Sequence, residues 1–193
     1  MTTAVCGTLE APARLLVAGF GNLLRRDDAF GVLVAQRLLH ERLPCGVMVH
    51  EAGIAGLTVV QELLDGYDGL LVVDAVDRGG VPGTLYELEP TIPDVAALGK
   101  DGQFDFFADM HYAEPGRAMA LARALGVLPR SVVVLGCQVG EAEEYGLGLT
   151  PEVEAALGPA VTRTLRIVAR MAADCQQASA PGRTARRAEE MGR

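Results

Sequence analysis

The first half of the chain alternates short apolar runs with amphipathic stretches. Leu15-Leu16-Val17-Ala18-Gly19-Phe20 is too short for a helix and has no polar face, so Arg14 to Phe20 predicts a strand buried on both sides. From Asp27 or Asp28 to about Arg42, the residues Phe30, Leu33, Val34, Arg37 and Leu38 recur at spacings of three and four. That period predicts a helix with one apolar face, stopped by Pro44 and Gly46. Gly46 to Glu51 predicts a second strand, and the turn Ala52-Gly53-Ile54-Ala55-Gly56 leads into a helix over about Leu57 to Leu64. Gly69 to Asp74 is a third strand, apolar until its last residue. Strand, helix, strand, helix, strand is the order of a right-handed parallel wound sheet.

Beyond Pro82-Gly83 the pattern changes. Thr84 to Leu88 alternates, and its short connection from the third strand predicts an antiparallel edge strand. Residues 94–112 carry no regular period but hold the aromatic cluster Phe104, Phe106 and Phe107, and loops of that length are more often functional than idle. Pro115 opens a helix to about Leu125, Ser131 to Gly136 is a fifth strand, and Thr150-Pro151-Glu152 starts a helix that should reach about Met171. From Asp174 onward apolar anchors are scarce, which predicts a mobile tail. The expected fold is α/β: a single three-layer domain over residues 1–173, with a mostly parallel five-stranded sheet, one antiparallel edge strand and helices on both faces. Residues 174–193 would form the polar tail.

Composition narrows the partners. A chain of 193 residues that is 50% hydrophobic can build one well-buried core. Its net charge of −8 argues against nucleic acid and against anionic membrane surfaces. No apolar run approaches the roughly 20 residues of a membrane span. Met1 to Pro12 lacks the pattern of a secretory signal, so a cytoplasmic location is expected. Cys6, Cys45, Cys137 and Cys175 are scattered, as structural thiols are.

Two motifs can be set aside. Gly19-Phe20-Gly21 sits where a dinucleotide fingerprint would lie, but Leu24 replaces its third glycine, and Asp27 and Asp28 would repel a pyrophosphate. His40-Glu41 begins like a zinc-protease helix, but Pro44 stands where the second histidine is required, which leaves His40 as an exposed residue near a helix end. The remaining constellation is Asp28 after strand one, Asp74 at the tip of strand three and His111 after the long loop. In a 2-1-3 strand order the carboxyl ends of strands one and three flank the switch point, so both carboxylates would face one crevice.

Each of these residues also has an ordinary reading. Asp27 and Asp28 stand where carboxylates cap a helix, and capping is the role kept for Asp27. An acid ending an apolar strand, as Asp74 does, must be solvated, hydrogen-bonded or liganded. A lone histidine such as His111 is commonly a surface residue. Together, two carboxylates and an imidazole form a set suited to nickel, zinc or manganese, with coordination positions left open. No Ser-His-Asp or Cys-His arrangement competes.

With these residues in place, the sequence from about Arg14 to Arg170 resembles the hydrogenase maturation endopeptidases. Gly19-Phe20-Gly21-Asn22 followed by the acidic pair looks like the family's opening motif. Glu51-Ala52-Gly53-Ile54-Ala55-Gly56, Pro82-Gly83-Thr84, Gly136-Cys137-Gln138 and Gly146-Leu147-Gly148-Leu149-Thr150 follow in the family's order. Ala29, Ala52, Ile54 and Val139 depart from commoner residues without removing a proposed ligand. The resemblance implies that Asp28, Asp74 and His111 are both metal ligands and catalytic residues. It also implies that the protein removes a C-terminal extension from a nickel-iron hydrogenase large-subunit precursor, and action as a monomer on that large partner is the default expectation. Ni2+ would be supplied by that precursor, and the metal would either polarise the scissile carbonyl or activate a water. The Phe-rich loop before His111 and the Glu-rich loop after Cys137 are expected to grip the partner. The alternative reading is a non-cleaving, metal-dependent chaperone or adaptor for the same large subunit.

Overall fold

The computed structural model describes residues 11–100, 102, 114–142 and 144–179. Among them, five strands form one sheet in the order β2-β1-β3-β5-β4. The strands are β1 (Leu15–Phe20), β2 (Val47–Gly53), β3 (Gly69–Val76), β4 (Leu85–Leu88) and β5 (Ser131–Gln138). β1, β2, β3 and β5 run parallel, and β4 is antiparallel at the edge. β5 separates β4 from β3, so the 77–84 connection crosses the carboxyl end of β5, where the Gly83 N–H donates to the Gln138 carbonyl at 2.9 Å.

Four α-helices cover the sheet among the described residues: α1 (Phe30–Leu38), α2 (Gly56–Leu63), α3 (Pro115–Ala124) and α4 (Pro151–Ser179). Two apolar cores result, one on each face. Leu15, Val17, Leu71 and Val73 point to the side of α1 and α4, where they meet Phe30, Val34, Leu157 and Ile167. Leu16, Ala18, Leu70 and Val72 point the other way, to Val59, Leu63, Met119 and Ala122 of α2 and α3. Every residue of β1 is buried because it is sandwiched between both layers, as its unbroken apolar run requires.

Several boundaries differ from the sequence pattern. α1 stops at Leu38 rather than about Arg42, and its first turn is a separate 3-10 turn over Arg26–Ala29. β3 and β5 each run two residues further than their apolar stretch, since Ala75↔Cys137 and Val76↔Gln138 stay in register. α4 passes through Asp174 to Ser179 rather than ending at about Met171. Met171 is buried, and Ala172 and Cys175 continue its stripe onto the core, which keeps this turn helical. Residues 180–193 lie outside the described part.

Candidate active site

The site starts from a close approach of helix to strand. A methyl group built on Gly31 would lie 2.2 Å from the Val73 carbonyl and 2.4 Å from that of Phe20, so only glycine lets α1 begin against β1 and β3. Gly21 has φ +132°, and a side chain there would strike the Asp28 carbonyl at 1.8 Å. The close packing sought from a third glycine at position 24 is thus supplied seven positions later, by Gly31.

This approach sets the two aspartates of the turn in opposite roles. Asp27 has no exposed surface. It accepts hydrogen bonds from the backbone N–H groups of Gly140 (2.8 Å), Glu141 (2.8 Å) and Thr150 (2.7 Å), and from the Thr150 hydroxyl (2.9 Å). The helix-cap role expected for Asp27 is therefore overturned. Neither the 3-10 turn nor α1 has a side-chain cap, and Asp27 instead satisfies donors of the β5–α4 loop. Thr150, expected to cap α4 through its side chain, directs its hydroxyl to Asp27, while its carbonyl accepts from Glu154 N–H at 2.8 Å.

Asp28 is half-buried and turns the other way, its Oδ2 accepting the Asn22 N–H at 3.1 Å. Asp74 follows Val73 on β3, opposite Gly136 of β5. Val72 and Leu70 lie on the face of α2 and α3, so the strand alternation puts the Asp74 side chain toward that layer. Burial pushes its carboxyl up to about 8; a backbone hydrogen bond with Ala75 opposes this, and the negative charge of Asp28 adds to it. The structure thus brings Asp28 and Asp74 together at the carboxyl ends of β1 and β3. His111 lies outside the described residues.

A second buried polar group shapes the rim. Gln138 is 2% exposed; its Oε1 accepts the N–H groups of Arg78 (2.8 Å) and Gly80 (3.2 Å), and its Nε2 donates to Asp77 Oδ1 (2.9 Å) and the Val139 carbonyl (3.1 Å). The loop after β3 is folded around this one side chain. The Gly79 N–H and Gln138 together hold the Asp77 carboxyl below its ordinary range. Sequence reasoning quoted Gln138 only as part of a motif, without a role, and did not reach the pinning role of Asp27. The available signal was a polar residue ending the otherwise apolar β5. His40 is exposed just past α1, as expected. Cys45 and Cys137 are free thiols. No helix among the described residues is long and apolar enough to cross a membrane.

Comparison with known proteins gives one consistent result. The chain matches the family described as hydrogenase maturation protease over residues 32–167, a span that begins just after Asp28 and holds Asp74 and His111. It is 32% identical over 157 residues to the hydrogenase expression/formation protein HupD of Rhodobacter capsulatus, covering 80% of this chain and 71% of that protein. To the hydrogenase 2 maturation protease of Escherichia coli it is 31% identical over 154 residues, covering 79% and 88%. Among solved structures, the hydrogenase maturating endopeptidase HybD from E. coli superposes with a TM-score of 0.65 at 27% identity, covering 81% of this chain and 93% of that one.

Proposed function

The chain belongs to the hydrogenase maturation protease family, and from that premise we propose that it cuts the C-terminal extension from a nickel-iron hydrogenase large-subunit precursor after nickel insertion, acting as a monomer in the cytoplasm. The observation that carries the reading is the pairing of Asp28 with Asp74. Two carboxyl groups in one crevice, one of them kept protonated in the metal-free protein by burial and by the charge of the other, form a hard-oxygen donor set whose ionisation a divalent cation would favour. Asp28 and Asp74 would hold the precursor's nickel, with His111 as the third ligand by resemblance. Nickel, as part of the substrate, would supply Lewis acidity to polarise the scissile carbonyl or to activate a water.

The chain's own residues contribute position. Asp27 and Gly31 fix the turn that carries Asp28 against β3, and Gln138 shapes the neighbouring loop. A half-built carboxylate site binds metal weakly alone, so cleavage would report that the precursor has been loaded. Mass spectrometry of a nickel-loaded large-subunit precursor incubated with this protein tests the proposal. The expected result is loss of the C-terminal extension, with nickel-free precursor left intact. A stable complex without a change in mass would point to the adaptor reading instead.

A further inference from the structure

Asp27 does more than fill its pocket, because its four hydrogen bonds lock two loops into one platform. Next to it, the Arg26 N–H donates to the Gly146 carbonyl (3.1 Å) and the Gly146 N–H donates to the Leu24 carbonyl (2.9 Å). A two-residue parallel bridge thus joins Arg25 to Gly146. Arg26 takes φ +42°, a left-handed conformation that a non-glycine residue adopts only when its surroundings impose it. Its side chain pairs with Glu141 at 3.2 Å. The segments either side of the bridge are therefore held rather than loose.

What this framework holds outward is apolar. Tyr145 is 84% exposed, Leu147 79% and Leu24 60%, and the bridge places the first two on either side of Gly146, directly opposite the chain that carries Leu24. Large side chains grouped in water on a fixed backbone mark an interaction surface. Leu64 and Leu125, also exposed, stand at the ends of α2 and α3 at the other end of the sheet.

We propose that Leu24, Tyr145 and Leu147 form the docking surface for the apolar polypeptide stretch of the precursor beside the bond that is cut. This rests on the functional reading above. Its occupant follows from continuity: the turn that presents Leu24 is the one that presents Asp28, so a chain crossing the Asp28–Asp74 crevice meets this platform next. Two carboxylates give a polypeptide little affinity by themselves, whereas an apolar rim with an aromatic anchor does. A second copy of this chain seated here would cover the crevice it needs open.

The test is steady-state cleavage of nickel-loaded precursor by Leu24→Gln, Tyr145→Ser and Leu147→Gln, singly and combined, with Leu64→Gln and Leu125→Gln as controls. Each platform substitution removes apolar contact equivalent to about a tenfold rise in KM, with kcat within about twofold of the parent. The controls leave KM unchanged. Unchanged KM in the combined variant overturns the proposal, as does a fall in kcat without a change in KM. Sedimentation of the parent and the combined variant checks the other occupant, and self-association of the parent that the variant abolishes also overturns it. If the parent cuts no precursor, the functional reading fails. Direct binding of the precursor then decides this inference separately, which stands only if the combined variant loses that binding.

Discussion

The carboxylate of Asp27 holds both the backbone N–H and the hydroxyl of Thr150, at 2.7 and 2.9 Å, across 123 positions of chain. The contact ties the turn after β1 to the start of α4 and leaves no surface of Asp27 in water. Asp27→Ala would strand three backbone N–H groups, each costing about 1 to 3 kcal/mol when buried without a partner. Urea unfolding should show a loss of about 3 to 5 kcal/mol. A loss below about 1 kcal/mol would mean that water replaces the carboxylate without penalty.

Gly31 gives a second prediction about the scaffold. The β-carbon of an alanine there would lie 2.2 Å from the Val73 carbonyl, so α1 would have to shift away from β3. Gly31→Ala should cost about 2 to 3 kcal/mol and weaken precursor cleavage, because Asp28 sits one turn before that contact. Thermal unfolding together with the cleavage assay reads both effects. Parent-like stability and activity would show that the helix start is more tolerant than its packing implies.

The sheet was legible because its strands advertise themselves. The runs Leu15–Phe20 and Gly69–Val73 are apolar on both faces, which only a strand between two helical layers needs, and the 2-1-3 order then placed the ends of β1 and β3 together. Asp74 could be picked out as the acid that closes the apolar run of β3, and Asp28 as part of the acid pair in the turn that follows β1. Asp27 was misread because its partners, Gly140, Glu141 and Thr150, lie more than a hundred positions away and bond mainly through backbone, which no side-chain spacing reveals. The role of Gln138 escaped similarly, since its partners are the N–H groups of Arg78 and Gly80. The end of α4 was set too early because Cys175 does not advertise itself as a core residue, yet it extends the stripe of Met171.

Cys137 allows a chemical check of the inner layer. It is wholly buried on β5, and burial together with the charge of Asp27 pushes its thiol up to about 12. A thiol kept protonated is a poor nucleophile. At pH 8 iodoacetamide should label Cys45, which is partly exposed, and leave Cys137 unmodified until denaturant is added. Peptide mapping by mass spectrometry distinguishes the two, and early labelling of Cys137 would contradict its burial.

Substitution within the constellation tests the chemistry directly. Asp28→Asn, Asp74→Asn and His111→Ala should each reduce cleavage of nickel-loaded precursor by at least about a hundredfold, in line with losing a ligand or its orientation at a metal site. Circular dichroism should remain that of the parent, because neither Asp28 nor Asp74 is fully buried. Full activity in all three variants would sink the assignment of these residues.

The same Asp74 carboxyl makes the metal-free protein sensitive to pH in a defined direction. Its native value near 8 lies above the ordinary 3.8, so between about pH 4 and pH 8 the folded state keeps a proton that the unfolded state has released. Stability from this group is present below pH 4 and lost as pH rises through 8. Asp74→Asn removes the cost of burying the charge, so in chelator-treated protein the variant should gain on the parent steadily from pH 5 to pH 8. With solvent screening at a half-buried site allowed for, the gain should reach about 2 kcal/mol. Urea unfolding of both proteins at intervals of pH measures it, and a difference that stays flat across that window would show that Asp74 is ionised without strain before any metal arrives.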